Sequence, residues 1–147
     1  MENTLKKIVF VDDNETYLTI VRNQLKSFYE VFPAPSAIKL FTILGNLDPD
    51  MILLDIDMPG MNGFDVIKAM KENPRYKDIP VVFLTAKDDE SDTIEGLKLG
   101  AVDYITKPIS GPLLLQRISN IMLIEKLKSE LQTSYEHLKE LREHQAK

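Results

Sequence analysis

Two kinds of apolar pattern alternate along this chain. Short β-branched runs stand near residues 7–12, 30–33, 50–55, 80–85 and 102–106. Runs of this length bounded by turn residues predict buried strands. Between them the apolar positions recur at helical spacing: Tyr17, Leu18, Val21, Leu25 and Phe28; Ile38, Phe41 and Leu44; Phe64, Ile67 and Met70; Ile94, Leu97 and Leu99. Asn14 and Ser36 are expected to start helices, and Asn73-Pro74 and Gly100 to stop them. Repeated strand–helix units predict a parallel sheet with helices on both faces.

After Pro112 the pattern changes. No Gly or Pro appears from Leu113 to Lys147, so nothing halts a fifth helix. Ile124, Leu127, Leu131, Ser134, Leu138 and Leu141 follow alternating spacings of three and four, a heptad seam with Ser134 as its flaw. A helix over residues 110–145 would run about 50 Å. The expected organisation is therefore a domain over residues 1–124 and a helical extension over 125–147. The extension reads as a coiled-coil stalk or linker that pairs two copies of the chain.

Composition narrows the class. The 147 residues carry a net charge of −5, which implies no general affinity for nucleic acid or an anionic membrane. Residues 1–124 hold 18 acids and 13 bases, and residues 125–147 hold five of each, so the acidity belongs to the domain. With no cysteine, thiol catalysis and cysteine-ligated metals are excluded, in keeping with a cytoplasmic location. No apolar stretch approaches the roughly 18 residues of a membrane-spanning helix. No glycine-rich loop ending in Lys-Ser/Thr is present, which argues against a nucleotide P-loop.

Four of the five strand runs end in residues suited to phosphoryl transfer. Lys7-Ile-Val-Phe-Val leads to Asp12-Asp13, Met51-Ile-Leu-Leu to Asp55, Val81-Val-Phe-Leu to Thr85, and Val102-Asp-Tyr-Ile-Thr to Lys107-Pro108. In an open parallel sheet, ligands bind at the carboxyl ends of the strands. Three carboxylates gathered there repel one another, by roughly 4 kcal/mol per pair about 4 Å apart at an effective dielectric of 20. A divalent cation, magnesium or manganese, would relieve that repulsion. Asp55 then reads as a nucleophile that forms an acyl phosphate. Lys107 and Thr85, with the backbone N–H of Ala86, would hold the phosphoryl oxygens. Gly60 and Gly63 allow the following loop to turn tightly beside the nucleophile.

Together these motifs resemble the response-regulator receiver domain of two-component signalling. The resemblance covers about residues 6–124. It rests on Val-Asp-Asp at 11–13, Leu-Leu-Asp-Ile-Asp-Met-Pro-Gly-Met-Asn-Gly at 53–63, Leu-Thr-Ala at 84–86 and Gly-Ala-Val-Asp-Tyr-Ile-Thr-Lys-Pro at 100–108. It implies a doubly wound, flavodoxin-like α/β fold with a five-stranded sheet in order 2-1-3-4-5. It implies Asp55 as phosphoacceptor, Asp12 and Asp13 as metal-binding acids, and the backbone carbonyl of Asp57 as a further metal ligand. It also implies a cis Lys107–Pro108 bond, and a switch in which Thr85 moves toward the phosphoryl group and Tyr104 turns inward. The surface of the fourth helix, fifth strand and fifth helix would carry the change onward. The implied partners are a sensor histidine kinase or phosphotransfer protein, and an effector domain beyond this chain. Asp57 and Lys87, on the expected rim of the crevice, are read as tuning the acyl-phosphate lifetime.

Two other classes compete with this reading. A haloacid-dehalogenase-type phosphatase also forms an aspartyl phosphate, but its nucleophile stands on an early strand, and Met58-Pro59 departs from its motif. A pseudo-receiver that only binds partners has no need of clustered acids. The chain is thus expected to modify itself and to turn over no diffusible substrate.

Overall fold

The computed structural model describes residues 4–86, 90–107 and 110–145. Five strands, β1 (Lys6–Val11), β2 (Tyr29–Ala34), β3 (Met51–Asp55), β4 (Val81–Ala86) and β5 (Asp103–Lys107), form one parallel sheet in the order β2-β1-β3-β4-β5. The helices are α1 (Glu15–Leu25), α2 (Ala37–Leu44), α3 (Gly63–Lys71), α4 (Glu90–Lys98) and α5 (Gly111–Gln145). The chain divides into two compact units, Met1–Leu115 and Gln116–Lys147.

Strand alternation builds the core. Every residue of β3 is buried, as a central parallel strand covered on both faces requires. Val9, Val11, Ile52, Leu54, Val81 and Phe83 join α2 and α3 residues in one cluster. Their neighbours Ile8, Phe10, Leu53 and Val82 are also fully buried and point the other way. On that side the Phe10 ring meets Tyr17 of α1 edge-on, with centroids 5.7 Å apart.

Caps set where the helices begin. The Asn14 side chain accepts from the Tyr17 N–H and Ser36 from the Lys39 N–H, as expected for both residues. A third cap was not anticipated: Asn62 and Asp65 form a reciprocal capping box at α3. Gly100, at φ +111°, ends α4 in a Schellman motif, with Ala101 N–H on the Gly96 carbonyl and Gly100 N–H on that of Leu97.

Three expected helix faces differ from those observed. Phe28 lies beyond the end of α1 and is 55% exposed. In α2 the buried residues are Ala37, Leu40 and Leu44, while Ile38 is 82% exposed. The sequence Ala-Ile-Lys-Leu-Phe-Thr-Ile-Leu is apolar on several sides, so more than one stripe fits a helical period. In α4, Ile94 and Leu97 are exposed, and Gly96 is the one buried residue. A Cβ at Gly96 would stand 2.6 Å from the Phe83 ring, so the helix backbone itself rests on the sheet.

Within Gln116–Lys147, Ile118 and Ile121 are buried, whereas Ile124, Leu127, Leu131, Leu138 and Leu141 are all exposed. Among the described residues no helix is long and apolar enough to cross a membrane.

Candidate functional site

The site is built at the carboxyl ends of β1, β3, β4 and β5. Asp12 follows β1 directly, and its backbone N–H donates to the Ala34 carbonyl of β2 at 3.1 Å, which holds it at the sheet end. Asp55 is the last residue of β3. Strand register aligns Asp55 with Leu84 and Ala86 with Lys107, so Thr85 and Lys107 emerge at the same end. Asp12, Asp55 and Thr85 are buried, and Asp13 is exposed.

Lys107 bridges the two buried acids. Its Nζ lies 2.8 Å from Asp12 Oδ2 and 3.2 Å from Asp55 Oδ1. The other oxygen of Asp12, Oδ1, accepts the Asn14 N–H at 2.9 Å. Asp12, Asp13 and Asp55 each offer a carboxylate oxygen within 4.8 Å of the others. Three carboxylates against one ammonium leave the cluster net negative, and Lys107 engages one oxygen of Asp12 and one of Asp55. Hard oxygen donors that remain close together suit magnesium or manganese, so the residues present fit the implied ion.

The electrostatics follow from this crowding. Burial pushes the Asp55 carboxyl from 3.8 up to about 6; the Asp12 charge adds to the rise, while Lys107 and a backbone hydrogen bond from Asp57 oppose it. Burial also works against the Lys107 ammonium, but bonds and charges from Asp12 and Asp55 outweigh it and hold its pKa above the ordinary value. Such a site favours further positive charge near the carboxylates.

The loop after β3 is packed tightly. The Gly63 N–H donates to the Ile56 carbonyl at 2.9 Å. A Cβ at Gly63 would stand 2.7 Å from the Asp55 carbonyl oxygen and 2.9 Å from Ile56 Cα, so no other residue fits there unmoved. Gly60 takes φ +75° in the same loop. Asp57 is exposed on this loop, at the rim. Tyr104 lies on β5 and is 36% exposed. Lys87 and the Lys107–Pro108 bond lie outside the described residues.

One neighbour of the site was not anticipated as part of it. The Lys107 ammonium sits over the Tyr17 ring, 4.9 Å from its centroid. Tyr17 was legible only as a position on the α1 stripe, because nothing local links it to a lysine on the last strand.

A five-stranded parallel sheet in this order, with acids, a hydroxyl and a lysine gathered at its carboxyl end, defines a receiver-type α/β protein. The chain belongs to the response regulator receiver domain family, whose model matches residues 8–119. It is 37% identical over 126 residues to response regulator PleD of Caulobacter vibrioides, covering 85% of this chain and 28% of that one. It is 37% identical over 131 residues to a Vibrio cholerae protein named "Probable cyclic di-GMP phosphodiesterase", covering 89% of this chain and 30% of that one. The chain thus spans less than a third of the length of these two relatives. Among solved structures, chemotaxis response regulator CheY4 of Vibrio cholerae superimposes with a TM-score of 0.75 at 28% identity, covering 80% of this chain and 99% of that one.

Proposed function

We propose that this receiver is switched by phosphorylation of Asp55, with a phosphohistidine of a sensor kinase or phosphotransfer protein as donor. The observation that carries the reading is the convergence of Asp12, Asp13, Asp55 and Lys107 on one crevice. In the transfer an Asp55 carboxylate oxygen forms the new bond to phosphorus as the phosphorus–nitrogen bond breaks. The departing imidazole then takes up a proton. Lys107 passes from Asp55 Oδ1 to an oxygen of the transferred group, and Thr85 with the Ala86 N–H receives another. Asp12, Asp13, Asp55 and the Asp57 carbonyl would hold magnesium or manganese, which supplies charge neutralisation at the phosphoryl oxygens when bound.

The new dianion at Asp55 draws Thr85 toward it, and the half-exposed Tyr104 turns inward into the space released. The face of α4, β5 and α5 carries the change onward. Asp57, and Lys87 two residues after Thr85, set how readily water reaches the acyl phosphate. That role is abandoned if Asp57→Ala and Lys87→Ala each leave the dephosphorylation rate unchanged. The chain modifies itself, and turnover of a diffusible substrate is left to an effector domain outside residues 1–147; one longer relative is named a probable cyclic di-GMP phosphodiesterase. The exposed leucines of α5 pair with those of a second copy in a parallel coiled coil, so residues 125–147 act as a stalk beyond the receiver of residues 1–124. The reaction takes place in the cytoplasm, where phosphohistidine donors draw on ATP.

The test is incubation with acetyl phosphate and magnesium, read by intact mass. One phosphoryl group should be gained by the wild type and none by Asp55→Ala. Equal labelling of both removes Asp55 from its role.

A further inference from the structure

Four residues form a closed circuit of contacts around the lysine. Lys107 Nζ donates to Asp12 Oδ2 at 2.8 Å, and Asp12 Oδ1 accepts the Asn14 N–H at 2.9 Å. The Asn14 side-chain oxygen accepts the Tyr17 N–H at 3.0 Å, and the Tyr17 ring returns to Lys107 Nζ at 4.9 Å. The first turn of α1 is thereby tied to the same carboxylate that the lysine holds. The ring also meets the fully buried Phe10 edge-on.

The chemistry of the ammonium explains what the ring adds. Lys107 has three N–H donors, and Asp12 and Asp55 lie within reach of two. A lysine on a four-carbon stem is otherwise a mobile point charge. An aromatic face within about 6 Å attracts a cation through its quadrupole and competes little with the carboxylates for N–H donors. It also takes the place of water on that side.

We infer that Tyr17 is a positioning residue for Lys107, its ring forming the wall that keeps the ammonium poised between Asp12 and Asp55 for an incoming phosphoryl oxygen. The inference rests on the proposed role of Asp55. It assigns to α1 a part in the transfer separate from the acids that precede it. The competing account is that Tyr17 only caps Phe10 and the lysine happens to pass over it.

Ring electronics separate the two. Tyr17→Phe keeps the aromatic face, whereas Tyr17→Leu and Tyr17→Met keep apolar bulk without it. Two measurements are made on each variant after thermal melting confirms folding. The first is the position of the Lys107 ε-methylene protons in lysine-labelled protein without phosphodonor, assigned with Lys107→Arg. The second is the rate constant of labelling by acetyl phosphate with magnesium.

The wild type and Tyr17→Phe should show methylene protons shifted upfield by the ring, and Tyr17→Leu and Tyr17→Met should not. Labelling should slow about two- to fivefold in Leu and Met and return to the wild-type rate in Phe. Wild-type rates in both Leu and Met, or a Phe variant as slow as Leu, overturn the role. An ordinary methylene position in the wild type overturns the contact alone. A wild type that takes up no phosphoryl group overturns instead the reading of Asp55, and the spectrum still reports whether ring and lysine meet.

Discussion

Asp55→Asn should make the metal-free protein more stable at neutral pH and leave it unchanged in acid. The Asp55 carboxyl is raised from 3.8 to about 6, chiefly by burial, with the Asp12 charge adding to it. A folded-state value above the unfolded one means the native protein holds that proton more tightly. The associated stability is fully present below about pH 4 and is lost as pH climbs through about 6. At about 1.4 kcal/mol per pH unit, the rise corresponds to an upper bound of about 3 kcal/mol. The crevice opens to solvent beside exposed Asp13 and Asp57, so screening reduces this to roughly 1.5 kcal/mol. Asparagine keeps the shape of aspartate and carries no charge, and Lys107 keeps its 2.8 Å bond to Asp12 Oδ2. The variant therefore sheds a buried charge and strands no partner. Urea melts in EDTA, compared near pH 4 and near pH 7.5, give the difference directly. An Asn variant no more stable than wild type near pH 7.5, or equally stabilised at both values, would refute the reasoning.

Other perturbations probe separate parts of the molecule. Lys107→Ala leaves Asp12 buried without its ammonium, so the melting temperature should fall, and millimolar magnesium should restore more of it than in wild type; equal thermal shifts in the two proteins would count against a shared cation site. Gly96→Ala drives a methyl into the Phe83 ring and should lower stability by about 1–3 kcal/mol in urea melts; a neutral result would mean α4 stands further from β4 than described. Leu131→Asp combined with Leu138→Asp should halve the mass seen by light scattering, because both leucines are exposed on α5 and lie on its seam; an unchanged mass rejects the seam as a dimer contact.

The strands were readable because each apolar run ends sharply in turn or polar residues, and burial on both faces removes any ambiguity of side. The chemistry was readable for the same reason. Asp12, Asp55, Thr85 and Lys107 all stand at strand ends, where a parallel sheet gathers them whatever the intervening helices do. Helix faces were harder. Ile38 fits an apolar stripe as well as Leu40 does, and only the packed sheet selects between them. For α4 the signal was misleading in kind, since its contact is a glycine and a hydrophobic stripe gives no weight to one. Tyr17 exposes a different limit: its partner lies at the far end of the chain, and only folded geometry brings aromatic and ammonium together.

The seating of α4 has a mechanical consequence. α1 buries Leu18, Val21 and Leu25, whereas the one residue α4 buries is Gly96, whose backbone approaches the Phe83 ring. At about 1.5–3 kcal/mol for each large side chain fully withdrawn from water, that stripe anchors α1 by several kcal/mol of burial that a glycine does not supply to α4. That ring, Phe83, also meets Phe64 edge-on beside the loop after β3, centroids 5.6 Å apart. Phe83 thus joins the first turn of α3, just after that loop, to the backbone of α4, so one side chain spans the distance between the end of β3 and a helix on the sheet's flank.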